Sequence, residues 1–135
     1  QKYAVLCGGG SNHRIGLFDA YLIKENHLEA GGGIAKTVAS ARQLNPHKLL
    51  EVEVENLAQL QEAIDAGVDR IMLDNFSLMQ MQQAVELNQQ RVELEASGNV
   101  DIDQLVEIAN TGVDFVSIGA LTKHLRAIDF SLRYR

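Results

Sequence analysis

A repeated interval between polar residues that end short apolar runs most constrains the fold of this chain. Glu53, Asp74, Ser97 and Gly119 each stand at the C-terminal end of such a run, and the intervals between them are 21, 23 and 22 residues. Strand, polar end and helix recurring at this length are typical of parallel β/α units, which place all their strand ends along one rim. Enzymes built from such units carry their active sites at that rim. The repeat therefore predicts both a fold and the place of the chemistry.

The residues between these polar ends predict alternating strands and helices. Apolar runs predict strands over residues 20–24, 49–55, 70–74, 92–97 and 115–119, and one-sided apolar spacing predicts helices over residues 2–6, 34–44, 57–66, 78–87 and 102–110. Gly67 and Gly112 follow two of these helices, where a left-handed stop is expected, and each precedes Val-Asp and a strand. We predict an α/β fold, a partial and open parallel α/β barrel, with residues 1–135 as one domain.

The predicted barrel is incomplete. A full eight-stranded barrel takes roughly 250 residues, whereas only five strands can be placed here and the sequence opens inside a predicted helix. We therefore expect the first strand of the barrel to lie outside this sequence.

Composition limits the function classes that this chain can belong to. The net charge of −6 argues against a general nucleic-acid binder, and no run of apolar residues is long enough to span a membrane. The single cysteine, Cys7, cannot form an internal disulfide. These features predict a cytoplasmic protein without a signal peptide.

Alternating glutamates in two predicted strands point to a polar face on the sheet. Glu51, Glu53 and Glu55 alternate with apolar residues in one strand, and Glu93 and Glu95 do so in another. If the apolar face packs on helices, these carboxylates face the barrel interior, where they need partners. The alternative is an edge strand with a solvated face. Carboxylates from different strands also suit a hard cation, so we predict magnesium at Glu53 and Asp74, by direct or indirect contact.

A few cations and glycines supply candidate anion sites. Arg14 and Lys24 can balance the acidic face, although a lysine at a strand end can also simply extend into solvent. The runs of three glycines at residues 8–10 and 31–33 can be anion-binding loops or plain turns. Residues 97–99 and 119–121 fall in the late loops of the predicted barrel, where phosphate commonly binds.

In their order along the chain, these motifs resemble the quinolinate phosphoribosyltransferase family. The segments that carry the resemblance are Gly8-Gly9-Gly10, Asn12-His13-Arg14, Leu22-Ile23-Lys24, Glu51-Val52-Glu53, Leu73-Asp74-Asn75-Phe76, Glu95-Ala96-Ser97-Gly98-Asn99 and Ser117-Ile118-Gly119-Ala120-Leu121-Thr122. The family makes nicotinate mononucleotide, carbon dioxide and pyrophosphate from quinolinate and phosphoribosyl pyrophosphate, with magnesium, in NAD biosynthesis. The resemblance implies the same reaction, a homodimer or larger homo-oligomer, and no nucleic-acid or membrane partner.

The resemblance also implies roles for individual residues. His13, Arg14 and Lys24 would hold the two carboxylates of quinolinate, and Glu53 and Asp74 would face the ribose and the magnesium. Lys24, Glu53 and Asp74 would thus be the catalytic residues. The phosphate of the donor would be bound by Ser97, Gly98, Asn99, Gly119, Ala120 and Leu121. Lys123 stands where some members carry histidine, so it receives no role.

One departure from the family and two rival interpretations remain at the level of sequence. A Thr-Arg-Lys-Thr segment and an N-terminal sandwich domain, which supply further cations to the family's site, are not in this sequence. We therefore expect the chain to be the C-terminal part of the enzyme and to be inactive alone. The rivals are another phosphate-binding α/β-barrel enzyme and a non-catalytic folding or interaction module.

Overall fold

A five-stranded parallel sheet forms the centre of the protein in our computed structural model, which describes residues 1–134 apart from the side chain of Leu121. The strands lie side by side in chain order, so the first and last form the two edges of the described sheet. Their bounds are Ala20–Ile23 (β1), Leu49–Val54 (β2), Arg70–Asp74 (β3), Glu93–Ser97 (β4) and Phe115–Val116 (β5). The predicted α/β fold and parallel sheet are confirmed, and the described strands form an open sheet.

Helices follow each strand, as the repeat predicts. Their bounds are Lys2–Cys7 (α1), Glu25–Gly31 (α2), Ile34–Leu44 (α3), Leu57–Asp65 (α4), Leu78–Asn88 (α5), Leu105–Ala109 (α6) and Ala120–Lys123 (α7), with a 3-10 turn at Ile102–Gln104. None of the helices in the described residues has the length and apolar character that crossing a membrane requires.

The helix α2 was not predicted, and it changes the meaning of the second glycine run. Lys24 precedes this helix, and its backbone N–H donates to Nδ1 of His27 at 3.0 Å, which caps the first turn. Gly32 then ends the helix in the left-handed conformation, with φ of 78°, and Gly33, with φ of 105°, precedes α3. The three glycines therefore form a junction between two helices.

The hydrophobic core lies between one face of the sheet and the helices packed on it. Alternate residues of the strands supply the sheet side of this core: Leu50, Val52, Val54, Ile71, Leu73, Leu94 and Ala96. The helices supply the other side, chiefly Ile34, Val38, Leu60, Ala63, Ile64, Met81, Ala84 and Ile108. Because burying one large aliphatic side chain contributes about 1.5–3 kcal/mol, this single layer of contacts holds the helices on one face. The opposite face of the sheet carries mostly polar residues.

The repeated Gly-Val-Asp segments join neighbouring strands in the same way. Asp69 accepts the backbone N–H of Leu50 on Oδ2 at 2.7 Å, and Asp114 accepts that of Leu94 on Oδ2 at 2.8 Å. Each aspartate also donates its own N–H to the carbonyl of the same leucine. The aspartate thus extends the parallel ladder at the N-terminal ends of β2 and β4, and it sets the register of the strand that follows.

Candidate active site

The face of the sheet that points away from the helices carries the candidate site, and we call it the open face. It is formed by Glu51 and Glu53 of β2, Arg70, Met72 and Asp74 of β3, Glu93, Glu95 and Ser97 of β4, and Phe115 of β5 with Ser117 beyond it. The parallel register places Glu53 opposite Met72, and Asp74 opposite Ser97. Glu53, Asp74 and Ser97 therefore share one face near the C-terminal ends of adjacent strands, as the repeat predicts.

Two glutamates of the open face are almost completely buried. Glu51 is 1% exposed and Glu95 is 2% exposed, and His13 reaches down to both of them. Nε2 of His13 lies 2.8 Å from Oε2 of Glu51 and 3.7 Å from Oε1 of Glu95. Glu95 also accepts a hydrogen bond from the hydroxyl of Ser117, and Nη1 of Arg70 lies 3.6 Å from its Oε2. Buried carboxylates thus find cationic and hydroxyl partners here.

These contacts shift the protonation of His13 and Glu95. The hydrogen bond with Glu51 raises the pKa of His13 above its ordinary value of 6.5, and it outweighs the opposing effect of burial. Burial raises the pKa of the Glu95 carboxyl, and the hydrogen bond from Ser117 opposes that rise. The centre of the open face therefore favours a charged imidazole on His13, close to a Glu95 carboxyl that holds its proton to a higher pH than usual.

The rim of the open face holds the second group of charges. The ammonium of Lys24 pairs with Glu53, whose side chain is only 11% exposed. Asp74 is partly buried and accepts a hydrogen bond from the side-chain amide of Asn75 at 2.8 Å. A cation and two carboxylates are consequently held side by side where β1, β2 and β3 end.

A cleft of about 490 Å³ lies beside this rim, beyond the ends of β4 and β5. Its lining comprises Ser97, Gly98, Asn99, Val100, Asp101, Ser117, Gly119, Ala120, Lys123 and His124. The side chain of Lys123 folds back toward Gly119, which brings an ammonium group to the cleft. Backbone groups of a glycine turn, a helix start and a lysine together make a site suited to an anion.

Gly98 is required by the close approach of two loops at this cleft. Its φ is 95°, and a Cβ at this position would lie 2.3 Å from Oδ1 of Asn75 and 2.8 Å from the backbone nitrogen of Asn75. That nitrogen donates to the carbonyl of Ser97 at 2.9 Å. Any larger residue would push apart the loops that follow β3 and β4, so a glycine at position 98 is needed to maintain the shape of the cleft.

The structure brings most of the predicted site residues together, with two differences. Lys24, Glu53 and Asp74 lie along the rim, whereas Arg14 contacts the carbonyl of Ala20, at 3.5 Å, at the opposite end of β1 from Lys24. Ser97, Gly98, Asn99, Gly119 and Ala120 line the cleft, and the side chain of Leu121 lies outside the described residues. Glu93 was expected to be deep in the open face, but its side chain is 49% exposed and pairs with Arg70. Its position at the start of β4 explains that exposure.

Sequence reasoning missed two parts of the site. The alternating glutamates predicted an acidic face, but nothing in the sequence indicated that His13 would pair with Glu51, 38 residues away. Lys123 was assigned no role and His124 was expected to be a surface group or one that only supports the site, yet both line the cleft. The signal for these two was their closeness in sequence to Gly119: α7 is only one turn long, Lys123 is its last residue and His124 follows it.

The sequence of this chain is similar to those of known proteins. A family model described as "Quinolinate phosphoribosyl transferase, C-terminal domain" matches residues 1–133. A probable nicotinate-nucleotide pyrophosphorylase (carboxylating) of Bacillus subtilis is 41% identical, over 98% of this chain and 46% of the relative. A quinolinate phosphoribosyltransferase (decarboxylating) of Nicotiana glauca is 42% identical, over 98% of this chain and 43% of the relative. The chain thus spans about half the length of the curated relatives that it matches.

Solved structures agree with these matches. The nicotinate-nucleotide pyrophosphorylase of Francisella tularensis superposes with a TM-score of 0.92 at 60% identity, over 96% of this chain and 46% of that one. A thiamine phosphate pyrophosphorylase of Pyrococcus furiosus superposes with a TM-score of 0.62 at 17% identity, over 87% of this chain and 54% of that one. The second likeness concerns the fold alone.

Proposed function

This chain belongs to the quinolinate phosphoribosyl transferase C-terminal domain family, and from that premise we propose that residues 1–135 form the catalytic domain of a quinolinate phosphoribosyltransferase. Such a pentosyltransferase joins quinolinate to the ribose of phosphoribosyl pyrophosphate and releases carbon dioxide and pyrophosphate, in NAD biosynthesis. One observation carries the proposal: Lys24, Glu53 and Asp74 line the rim of a parallel sheet, beside a cleft that begins at Ser97. Two substrates can therefore be held next to one another, one at the rim and the other in the cleft.

The charges of the site support a division between the two substrates. Quinolinate is a dicarboxylate, and His13, Arg14 and Lys24 are the cations that we assign to it. The contact between Arg14 and the carbonyl of Ala20 is long, at 3.5 Å, so the guanidinium gives up little when it turns toward a ligand. The phosphate of the donor is assigned to the cleft, where Ser97, Gly98, Asn99, Gly119 and Ala120 offer hydroxyl, amide and backbone groups. We keep Leu121 in this set from the sequence.

The rim also fits a magnesium ion. Glu53 and Asp74 are carboxylates on adjacent strands and on the same face of the sheet, which is the donor chemistry that Mg²⁺ prefers. Glu53 and Asp74 would hold the ion, directly or through water and phosphate oxygens. When bound, the ion would neutralise the pyrophosphate as it gains negative charge.

The proposed chemistry needs positioning and charge rather than a protein nucleophile. The bond between C1 of the ribose and the pyrophosphate oxygen breaks, and the pyrophosphate leaves with the electron pair. Glu53 and Asp74 stabilise the positive charge left on the ribose, because fixed charges act strongly in a site shielded from water. The pyridine nitrogen of quinolinate, whose carboxylates are held by Lys24 and the other cations, forms the new bond to C1. Loss of carbon dioxide then leaves its electron pair on the ring carbon, which takes up a proton.

The proposal is tested by assaying the complete natural protein for nicotinate mononucleotide. We expect formation of the product to require quinolinate, phosphoribosyl pyrophosphate and Mg²⁺. Asp74→Asn should lower kcat by about 10²–10³-fold, the effect expected of losing one preorganised charge contact. The matched control is Asp65→Asn, which removes the same charge from an exposed position in α4. A protein that makes no product, or an Asp74→Asn variant as active as the control, would contradict the proposal.

We further propose that the protein acts in the cytoplasm as a homodimer or larger homo-oligomer. Large apolar side chains that are exposed in the described chain support association, among them Leu17 at 85% and Phe18 at 71% exposure. Analytical ultracentrifugation of the complete natural protein measures its oligomeric state.

A further inference from the structure

The contact between His13 and Glu51 indicates a role for Glu51, a residue to which the proposed function gives none. Glu51 is 1% exposed, its Oε2 lies 2.8 Å from Nε2 of His13, and its Oε1 is buried with no hydrogen-bond partner among the residues that the structure describes. An ionised carboxylate buried in this way is costly unless something compensates it. Among the described residues, the imidazolium of His13, at 2.8 Å from Oε2, is the strongest compensation for the charge of this carboxylate.

His13 needs an anchor because it lies outside regular secondary structure. It belongs to the segment between α1 and β1, and in the chain just after it Ile15 and Gly16 donate their N–H groups to Asp19, at 2.6 and 3.3 Å. Neither contact fixes the imidazole. The ring is nevertheless only 26% exposed, because it reaches down to Glu51 on the floor of the open face. Glu51 therefore determines where the ring points.

The same contact determines which ring nitrogen is free. Nε2 must carry a proton to donate to Glu51, so Nδ1 is the atom left for other partners, and no described residue hydrogen bonds to it. The two N–H bonds of an imidazolium diverge, so a ring held through Nε2 directs Nδ1 away from Glu51. The titratable and charged groups around the ring are Glu51 from β2, Glu95 from β4 and Arg14 beside it. Arg70 from β3 acts on Glu95 rather than on the ring.

We propose that Glu51 is a positioning residue that holds His13 through Nε2–H and thereby presents Nδ1–H to a carboxylate of quinolinate. The inference rests on the proposed function for its ligand. This role does not require Glu51 to touch the substrate. Its side chain lies beneath His13 and therefore acts through the imidazole.

The inference predicts how the binding of quinolinate depends on pH. The hydrogen bond with Glu51 raises the pKa of His13, so the imidazole stays charged below that raised pKa and loses its charge as the pH rises through it. Affinity for the dicarboxylate should fall over the same range of pH. Replacing Glu51 with neutral glutamine should move this fall to lower pH.

The test uses Glu51→Gln in the complete natural protein, with Glu93→Gln as the matched control. Glu93 lies on the same face, but its side chain is half exposed and pairs with Arg70 rather than His13. Nitrogen-15 NMR of the histidine rings in the ligand-free protein measures the pKa and the tautomer of His13. Calorimetry measures the Kd of quinolinate as a function of pH. We expect a lower pKa of His13 and about ten-fold weaker quinolinate binding near neutral pH in Glu51→Gln, the loss typical of one charge-assisted hydrogen bond. We expect neither change in Glu93→Gln.

A double variant separates positioning from a general structural effect. His13→Gln removes the ring without touching the sheet, and Glu51→Gln should cause no further loss of quinolinate affinity in that background. An unchanged pKa of His13 in Glu51→Gln, or additive losses in the double variant, would overturn the inference even if quinolinate binds normally. A wild-type protein that does not bind quinolinate would overturn the proposed function and the ligand of this inference together, while the NMR titration would still report on the contact itself.

Discussion

Glu51 and Glu95 are buried on the same face of the sheet, but they have different partners. Glu51 has His13 on one oxygen and, among the described residues, no partner on the other, whereas Glu95 is contacted by Ser117 and Arg70 and lies 3.7 Å from His13. Burial raises the pKa of Glu95, so in the folded protein it holds its proton to a higher pH than in the unfolded chain. Ionisation of Glu95 therefore opposes folding, and its effect can be measured as a change in the free energy of unfolding with pH.

The first prediction concerns the pH dependence of stability in Glu95→Gln. A carboxyl whose pKa is raised in the folded state stabilises the fold below the ordinary glutamate pKa of 4.5, and this contribution is lost as the pH rises through the raised pKa of the folded state. Glutamine cannot ionise, so the variant should not lose stability as the pH rises through the raised pKa of Glu95. Above that pH the variant should be more stable than wild type. Urea unfolding of both proteins from about pH 4 to about pH 8 measures the difference. Glu93→Gln, at a half-exposed position, should show no such pH-dependent gain. Parallel pH curves for wild type and Glu95→Gln would contradict the prediction.

At the scale of elements, the Gly-Val-Asp repeat connects sequence to register more directly than any other feature. Gly67 and Gly112 adopt the left-handed conformation after their helices, with φ of 74° and 94°. Asp69 and Asp114 then bind the backbone of the strand before them, at Leu50 and Leu94. One short motif thus ends a helix, begins a strand and joins that strand to its neighbour.

The second prediction follows from those two aspartates. Asp69→Ala and Asp114→Ala should each lower the free energy of unfolding by about 1–3 kcal/mol, because each leaves the N–H of a buried leucine without its side-chain acceptor. Asp69→Asn and Asp114→Asn keep an acceptor oxygen and should be milder. Asp103→Ala, in the exposed 3-10 turn, is the control and should change stability by no more than about 0.5 kcal/mol. Equal stability of Asp69→Ala and Asp103→Ala would show that the ladder contact contributes nothing.

Elements defined by a local apolar pattern could be predicted from the sequence, whereas elements that depend on contacts between side chains could not. The bounds of β3 and α3 were predicted correctly, because continuous apolar patterns define them. The helix α2 was missed, because its polar residues show no apolar stripe and its capping contact is between Lys24 and His27. The last strand is only Phe115–Val116, shorter than predicted, since it pairs with β4 alone at the edge of the described sheet. For the site, alternation predicted the acidic face, whereas the pairing of His13 with Glu51 depends on folding.

At the scale of the whole molecule, the described chain exposes surfaces that a stable monomer normally covers. The strands β1 and β5 are edges of the sheet, and edges invite pairing with other chains. Residues beyond α7 add exposed apolar side chains, including Ile128 at 76%, Phe130 at 86% and Leu132 at 86% exposure. These surfaces agree with a chain that spans about half the length of its relatives.

The third prediction is that this 135-residue chain, prepared alone, has no detectable quinolinate phosphoribosyltransferase activity and self-associates. Quinolinate carries two negative charges and the donor carries several, whereas the chain has a net charge of −6. Its candidate site pairs His13 with Glu51 and Lys24 with Glu53, and it adds the carboxyl groups of Asp74 and Glu95. The field at the open face should therefore disfavour both anions unless further cations join it. The two sheet edges and the exposed apolar residues should drive association at micromolar concentrations. Product formation and sedimentation, measured on the isolated chain and on the complete natural protein side by side, test both parts. An isolated chain of confirmed mass that sediments as a monomer and turns quinolinate over at the rate of the complete protein would show that the described residues suffice.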